Sequence, residues 1–335
     1  MADVENALDG DLVLVVELAA LAPSVHNTQP WSFTWDGVSL GVREDPSRSL
    51  PVLDPSGRER IVSCGAAVLQ ARLAFAERGW DVATQVLPDP DDPQLLARLT
   101  VRGRRDPTPE EHALATAIPV RSTDRDPFDS TPVTPQELEL LRLAAEHEGA
   151  WARAVREDGA DEAVELQVLL SHADDSQRSD PAYLAELEAW RRDREAEGVP
   201  TRALPSVPVE LRGSTWVLRD FDAGKGQHAP AGSEPPPAEH PTVLVLGTEA
   251  DERRDWLTAG QGLGRLLLQA TVAGLAVQPM TQVLEVPVLR ARMRHVLGVV
   301  GHPQMLLRVG HGRSAPVSRR RPVSQTITIV DPPAG

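Results

Sequence analysis

The spacing of apolar and polar residues divides the first part of the chain into four elements. DLVLVVELAAL at residues 11–21 is apolar over the length of a helix. WSFTWDGVSLGVRE then forms two β-rich runs about Asp36 and Gly37, which is typical of a hairpin. Residues 57–78 carry apolar side chains at helical spacing, and WDVATQVLP follows as a strand. This first unit therefore reads helix, hairpin, helix, strand.

A second series of elements follows a polar region. Pro, Asp and Arg cluster from 88 to 109, which indicates a connection. After a short helix and a loop, TPQELELLRLAAEHEG has Thr134 and Glu137 at the spacing of a capping box. Strand AWARAVRE, a helix, the polar stretch 181–240, strand TVLVLGTE, a long helix at 251–273 and strands GLAVQPM and QMLLRVGH complete the series. The two series are related in order, but no sequence repeat is strong enough to establish a duplication.

Composition restricts the class of partner. The chain has 335 residues and is 41% hydrophobic, so it can bury a sizeable core as one or two domains. Its 49 acidic and 34 basic residues give a net charge of −15, which argues against nucleic acid as the main partner. The single cysteine, Cys64, excludes a disulfide framework, and the histidines show no HExxH or comparable pairing, so we expect no metal.

The sequence also predicts where the protein resides. No apolar run approaches the ~18 residues that a membrane span requires. The start MADVENALDGDLVL is acidic and lacks the basic region and cleavage site of a signal peptide. We therefore expect a cytoplasmic protein without a membrane segment.

Three glycines, Gly260, Gly262 and Gly264, have a spacing close to that of a dinucleotide-binding fingerprint. They lie inside a helical segment instead of at a strand-to-helix turn, so the context of that fingerprint is missing. Small residues that let a long helix pack closely are the favoured interpretation. Cys64, at the head of an apolar helix, is more often a small core residue than a nucleophile.

One polar stretch resists a purely structural explanation at the end of the first helix. In APSVHNTQPWSF, Pro23 stops the helix, and Ser24, Asn27 and Gln29 follow before a strand. Such side chains can cap the loop backbone. Three of them in one turn can instead read the polar edge of a flat ligand with donors and acceptors.

A second polar stretch, RSTDRDPF, has Arg121 and Arg125 on either side of Thr123. Solvated arginines on a loop are the commonest fate of such residues. With SRRRPVS at 318–324, however, this otherwise acidic chain has two separated arginine clusters. Together they could clamp a phosphate and one further negative centre.

These segments resemble the nitroreductase family. LAPSVHNTQPWSF resembles its PS-x-x-N-x-QPW-x-F element, and VRSTDRDPFDSTPVTPQELELLRLAA its RR-S/T-x-R-x-F segment with the following helix. LLLQATVAGLAVQPM resembles its GL-x-x-x-P element, and RRRPVSQTI its C-terminal R-x-P-L phosphate strand. RERIVSCGAAVLQARLAFAERGWDVATQVLPDP is similar to the Acg-like subfamily. The resemblance covers most of the chain except about 175–240.

The resemblance implies an α+β, nitroreductase-like fold made as a fused pseudo-dimer of two α/β halves. Residues 1–100 would form the N-terminal half and 110–335 the C-terminal half, with a lid insertion around 175–240. In ordinary members one short chain dimerises and FMN binds at the subunit interface. Here one half would replace the partner subunit, and the fused chain would be a monomer or a homodimer.

The resemblance also implies an FMN site between the halves. Arg121, Thr123 and Arg125 would contact the ribityl-phosphate and the N1/C2 edge of the flavin, while Ser24, Asn27 and Gln29 would face the isoalloxazine. Residues near the C-terminus complete the expected set: Pro279 and Met280, with backbone near N5, and Arg319 and Arg321, on the phosphate. No catalytic side chain is assigned, because the flavin carries the hydride chemistry.

Two functions are consistent with such a site. The first is an FMN-dependent oxidoreductase that transfers a hydride from NAD(P)H through the flavin to a small acceptor. The alternative is a flavin-binding or storage protein, in which the lid around 175–240 covers the flavin and blocks the nicotinamide.

Overall fold

The computed structural model of the chain describes residues 2–156, 161–192, 196–201, 204, 216–219, 221, 239, 241–312 and 317–330. Much of the lid expected around 175–240 lies outside these residues. None of the helices among them has the length and apolar character to cross a membrane.

Helices and strands account for most of the described residues. The α-helices are α1 (Ala2–Ala20), α2 (Arg58–Glu77), α3 (Pro109–Ala117), α4 (Pro135–His147), α5 (Asp161–Arg178), α6 (Pro181–Ala189), α7 (Arg253–Val272), α8 (Gln282–Glu285) and α9 (Pro287–Val296). The strands are β1 (Trp31–Trp35), β2 (Ser39–Glu44), β3 (Trp80–Val86), β4 (Leu95–Arg104), β5 (Trp151–Ala154), β6 (Thr242–Thr248), β7 (Ala276–Pro279), β8 (His302–Gly310) and β9 (Ile327–Ile329). This mixture confirms the predicted α+β class.

The predicted ends of several elements are confirmed. The hairpin β1–β2 turns at Gly37, which has a φ of 90°, and Asp36 Oδ1 accepts hydrogen bonds from the backbone of the turn. Gly79 follows α2 with a φ of 77°, a left-handed conformation that favours glycine. The capping box of α4 forms as expected: Thr134 and Glu137 each accept a backbone hydrogen bond from the other.

The expectation of a plain connection at 88–109 is wrong, because that range contains strand β4. β4 lies between β3 and β2 and is antiparallel to both. Its first half buries Leu95, Leu96 and Leu99, so it belongs to the core. The second half of β4 carries arginines at the margin of the sheet, and these charged residues make the sequence resemble a loop. One of them, Arg104, places its guanidinium 3.3 Å from the ring centroid of Trp80.

The two sheets have the same topology. The first has the order β3-β4-β2-β1-β9, and the second has the order β7-β8-β6-β5. In the first sheet, β1 and β2 precede helix α2, β3 and β4 follow it, and β4 inserts between β2 and β3. In the second sheet, β5 and β6 precede helix α7, β7 and β8 follow it, and β8 inserts between β6 and β7. All pairs among β1–β4 and β5–β8 are antiparallel. This repeated order is what a fused pseudo-dimer requires; the fusion itself and the division at 100–110 stay predictions.

The C-terminal segment returns to the first sheet. β9 pairs in parallel with β1, placing Ile327 opposite Phe33. The end of the second half therefore completes the sheet of the first. This return also brings the arginine-rich segment 318–321 beside the end of α1.

Helices α2 and α7 cross closely between the two sheets. A Cβ atom on Gly65 would come within 2.8 Å of Gly260 Cα, and one on Gly264 would lie 3.0 Å from Leu69 Cδ2. A Cβ atom on Gly260 would overlap the carbonyl oxygen of Val62. The interpretation of these glycines as a helix-packing surface is confirmed. The crossing also joins the two cores, because Leu257 belongs to the core of the first sheet and Val62 to that of the second.

We expect Gly260→Ala to destabilise the protein, because the added methyl group must separate α2 from α7. Overpacking of this kind costs roughly 1–3 kcal/mol in the free energy of unfolding, which urea denaturation measures. Gly10→Ala in α1 is the matched control, since no atom lies within 4 Å of the added Cβ. That control should stabilise by about 0.5–1 kcal/mol through helix propensity. Equal effects of the two substitutions would contradict the close crossing.

Candidate functional site

The turn after α1 has an unusual backbone. His26, Asn27 and Gln29 have φ angles of 47°, 52° and 50°, which place three non-glycine residues in the left-handed region. Such a conformation costs on the order of 1–3 kcal/mol per residue and persists only where the surroundings impose it. Ser24 helps to impose it, because its Oγ accepts a hydrogen bond from Gln29 N at 3.0 Å. Ser24 therefore caps the loop backbone, one of its two expected roles.

Asn27 and Gln29 connect this turn to two distant segments. Gln29 Nε2 donates to Ala196 O at 2.7 Å, and Gln29 Oε1 accepts from the backbone N–H of Arg321 at 2.8 Å. Asn27 Nδ2 donates to Gly198 O at 3.0 Å and to Arg319 O at 3.2 Å. The turn thus holds residues 196–198 on one side and residues 319–321 on the other.

A polar pocket of about 500 Å³ lies beside this turn. Its lining comes from the turn, the loop after α3, the segment 198–200 and the C-terminal segment: Pro23, Ser24, Asn27, Arg121, Ser122, Thr123, Arg125, Gly198, Val199, Pro200, Ser318 and Arg320. Three of these residues are arginines. We call this the arginine pocket.

Arg121 is the most unusual of the three arginines. Its side chain is only 5% exposed, and its Nε and Nη1 atoms have no hydrogen-bond partner among the described residues. Burial lowers the pKa of Arg121 to about 10, so the guanidinium stays charged at neutral pH. A buried cation without partners is costly, and an anion in the pocket would compensate it.

The other two arginines are held by their surroundings. Arg320 donates to the carbonyl oxygens of Ala20, Leu21 and Ala22 and thereby caps the C-terminal end of α1. Burial, with the nearby charge of Arg121, lowers the pKa of Arg320 to about 9. Burial, with the charge of Arg219, lowers the pKa of Arg125 to about 10. All three groups remain cations, so the pocket favours an anionic ligand.

A larger pocket adjoins the arginine pocket and shares Pro23, Ser24, Thr123 and Arg125 with it. It surrounds about 790 Å³, part of it open to solvent. The remaining lining residues are Val25, His26, Glu59, Val62, Ser63, Arg219, Phe221, Leu263, Leu267, Gln278, Pro279, Thr281 and Met305. We call this the ring pocket, because its largely apolar walls suit a flat aromatic ligand.

The walls of the ring pocket come from the crossing helices. Val62 is on α2, and Leu263 and Leu267 are on α7. Two buried polar atoms, His26 Nε2 and Gln278 Oε1, have no hydrogen-bond partner among the described residues. Burial, and then the charges of Arg219 and Arg125, hold the pKa of His26 well below its usual value. His26 is therefore a neutral imidazole beside this pocket.

One wall of the ring pocket is a buried charge cluster. Arg58 Nη2 bonds Glu59 Oε1 at 2.7 Å, and Arg219 binds Glu285 and Tyr183. Burial and repulsion from Glu285 raise the pKa of Glu59 to about 8, against the opposing effect of Arg58. The raised pKa brings the titration of Glu59 close to neutral pH.

The structure brings together most of the expected cofactor residues. Ser24, Asn27, Arg121, Thr123 and Arg125 line the arginine pocket, and Pro279 lines the ring pocket. The expected residues that line neither pocket are Gln29, Met280, Arg319 and Arg321.

Those four residues have other positions. Gln29 is fully buried behind the turn, and Met280 is 1% exposed in the core beside the second sheet. Arg319 is exposed. The guanidinium of Arg321 donates to the carbonyl oxygens of Gln29 and Trp31. The C-terminal arginine at the pocket is Arg320, which lies between the two that were expected.

Several lining residues were not anticipated from the sequence: His26, Glu59, Arg219, Phe221, Gln278 and Arg320. His26 lies within APSVHNTQPWSF and Arg320 within SRRRPVS, so the predicted site residues beside them in these motifs indicate their position. Glu59 looks like an ordinary charge in the first turn of a helix. Arg219 and Phe221 lie in a polar stretch without periodicity, where the sequence gives no signal.

Comparison with known proteins gives a consistent result. A family model described as the nitroreductase family matches residues 118–311. A Mycobacterium tuberculosis protein provisionally described as an NAD(P)H nitroreductase is 37% identical over 324 residues, covering 93% of this chain and 90% of that protein. An uncharacterized protein of the same organism is 33% identical over 303 residues, covering 88% of this chain and 85% of that protein.

Among solved structures, a nitroreductase with bound FMN from Desulfitobacterium hafniense aligns with this chain with a TM-score of 0.41 and 12% identity. The alignment covers 65% of this chain and 98% of that one.

Proposed function

The chain belongs to the nitroreductase family, and from that membership we propose that it is an FMN-dependent oxidoreductase. In this proposal a hydride passes from NAD(P)H through the flavin to a small acceptor. The observation that carries it is the buried guanidinium of Arg121, whose Nε and Nη1 atoms have no partner in the described part of the chain, in a pocket that shares four lining residues with the ring pocket. FMN has the matching division, a charged phosphate at one end and a flat ring system at the other.

The phosphate end of FMN fits the arginine pocket. Arg121 would donate to it, because its Nε and Nη1 atoms are donors that need an acceptor. Arg125 and Arg320 add positive charge to the same lining, and the N–H groups of Arg320 stay bonded to backbone carbonyl oxygens. Thr123 adds a hydroxyl to the same lining. This assignment places Arg320 near the phosphate, where the family resemblance predicts Arg319 and Arg321.

The ring end fits the ring pocket. Val62, Leu263 and Leu267 would pack against the ring system. Gln278 Oε1 can accept a hydrogen bond from the edge of the ring, and the neutral His26 can provide a further polar contact. Ser24 and Pro279 lie on the same lining.

The chemistry divides between cofactor and protein. Bound FMN supplies the hydride transfer. The protein orients the ring, excludes water with apolar walls, and places Arg125 where the two pockets meet. A fixed cation there stabilises the negative charge that develops on reduction.

The storage alternative rests on the segment 196–201, which closes one side of the arginine pocket. Besides its bonds to Asn27 and Gln29, this segment carries Glu197, which contacts both Arg48 and Arg192. Val199 packs with Leu50 and Phe221 in a small apolar cluster. A closure of this kind would keep flavin in and nicotinamide out if it never opened.

Arg121→Ala should weaken the binding of FMN more than that of riboflavin, because only FMN carries the phosphate. A charge-assisted hydrogen bond contributes on the order of 1.5–3 kcal/mol, so the Kd for FMN should rise about ten- to a hundredfold relative to riboflavin. Quenching of flavin fluorescence on titration with the flavin-free protein measures both constants.

Arg321→Ala is the matched control for this experiment. Its guanidinium donates to the backbone carbonyl oxygens of Gln29 and Trp31, and Arg321 does not line the arginine pocket. Loss of those bonds loosens the turn for both ligands, so the two Kd values should rise by the same factor. A selective loss of FMN binding in Arg321→Ala, but not in Arg121→Ala, would assign the phosphate to Arg321.

Glu197→Gln should speed the reduction of bound flavin by NADPH, because it removes the charge that Arg48 and Arg192 share. FMN affinity should change little, since Glu197 does not line either pocket. Anaerobic stopped-flow mixing with NADPH, followed by flavin bleaching, gives the rate. If the protein is an oxidoreductase, NADPH reduces the bound flavin in both the wild type and Glu197→Gln, and faster in Glu197→Gln. If NADPH reduces the flavin in neither form, the result favours a flavin-storage protein.

A further inference from the structure

Glu59 lines a second cavity as well as the ring pocket. This cavity surrounds about 970 Å³, part of it open to solvent, and lies at the N-terminal end of α2 beside α8 and α9. Ser56, Ala291 and His302 are among its other lining residues. Glu59 itself is only 3% exposed, and it is the residue that the two linings share.

The position of Glu59 within the charge cluster leaves one oxygen for a proton. Glu59 Oε1 accepts from Arg58 Nη2, so Oε2 is the atom that can hold the proton. The charged groups acting on this carboxyl are Arg58 of the same helix, Asp54 before it, Glu285 of α8, Arg219, and Arg290 of α9. The two acids oppose ionisation and the three arginines favour it.

The ring pocket has no other suitable acid among its described lining residues. Glu59 is the single carboxyl there, and Arg125 and Arg219 stay charged. His26 is neutral because its pKa lies well below the usual value. Reduction of an oxygen-bearing acceptor, such as a quinone, by a hydride nevertheless needs a proton as well.

We propose that Glu59 passes protons from the second cavity, which is open to solvent, to the acceptor in the ring pocket. This inference rests on the proposed function. The hydride brings two electrons and forms one bond to the acceptor. The bond between Glu59 Oε2 and its proton breaks, and that proton joins the acceptor oxygen. The remaining carboxylate takes a proton from water in the second cavity, so Glu59 returns to its initial state. The raised pKa of Glu59 supports this role, because it keeps the proton available at neutral pH.

The first test needs no cofactor. A carboxyl whose pKa is raised on folding stabilises the protein fully below the unfolded value, and that contribution is lost as pH rises through the folded value. The Tm of flavin-free Glu59→Gln should therefore rise relative to wild type from pH 5 to about 8 and stay level above it. The control is Glu111→Gln, because Arg105 lowers the pKa of Glu111 to about 2. Its difference from wild type should be constant over that range.

The second test uses the FMN-loaded protein reduced with dithionite and then mixed with a quinone. Glu59→Gln should slow reoxidation at pH 7 by about a hundredfold, as expected for loss of a positioned acid. Because Glu59 lines the ring pocket, reoxidation is measured with FMN saturating in both forms, so that a change in the Kd for FMN does not enter the rate. Gln preserves the acceptor for Arg58. Ala291→Trp should fill the second cavity and also slow reoxidation. In this variant the dependence of Tm on pH that Glu59 causes should remain as in the wild-type protein.

The outcomes separate the two proposals. A flat Tm difference for Glu59→Gln, or reoxidation at the wild-type rate in that variant, would overturn proton transfer by Glu59 and leave the proposed function standing. Wild-type reoxidation in Ala291→Trp would overturn the route through the second cavity. If FMN does not bind to the wild-type protein, the proposed function fails, and this inference fails with it.

Discussion

Helices α2 and α7 cross so closely that their contact determines how the two sheets and the walls of the ring pocket are placed. Gly65, Gly260 and Gly264 let the two helix backbones approach in a way that any side chain would prevent. The crossing joins the cores of the two sheets and also supplies Val62, Leu263 and Leu267 to the ring pocket. The spacing between the pocket walls is thus set by the most tightly packed region, and loops need only add the polar groups.

The polar groups that the loops add include buried arginine side chains, whose charges cost free energy that a bound anion would offset. The protein carries a net charge of −15, yet it concentrates Arg121, Arg125 and Arg320 in one buried pocket. Arg320 is compensated by carbonyl oxygens at the end of α1, where the helix dipole is negative. Two nitrogens of Arg121 lack even that compensation among the described residues. The strained turn at His26, Asn27 and Gln29 adds a second cost at the same place.

The sequence predicts what depends on local pattern. Helical spacing, the Asp36–Gly37 hairpin and the Thr134 capping box identified their elements, whereas the arginines of β4 concealed a strand buried between two others. Within the site, five predicted residues line the arginine pocket because they lie in two compact motifs. The choice among three consecutive arginines was not local: Arg320 points to the pocket because it caps α1, and Arg321 is directed to the turn backbone. Glu59 became a pocket residue only through the crossing and the approach of α8.

The contacts of the covering segment bear on whether the site is used for turnover. Asn27 and Gln29 hold residues 196–198 with a few hydrogen bonds, each contributing about 0.5–1.5 kcal/mol net. Val199 adds one apolar side chain, of about 1.5–3 kcal/mol when fully buried. The turn itself keeps its bonds to Arg321 when this segment leaves, because those bonds use different atoms: Gln29 Oε1 and the backbone. Opening this side of the pocket also breaks the ion pairs of Glu197 with Arg48 and Arg192. The covering segment and the C-terminal segment thus use different atoms of the same turn, so the first can leave without releasing the second.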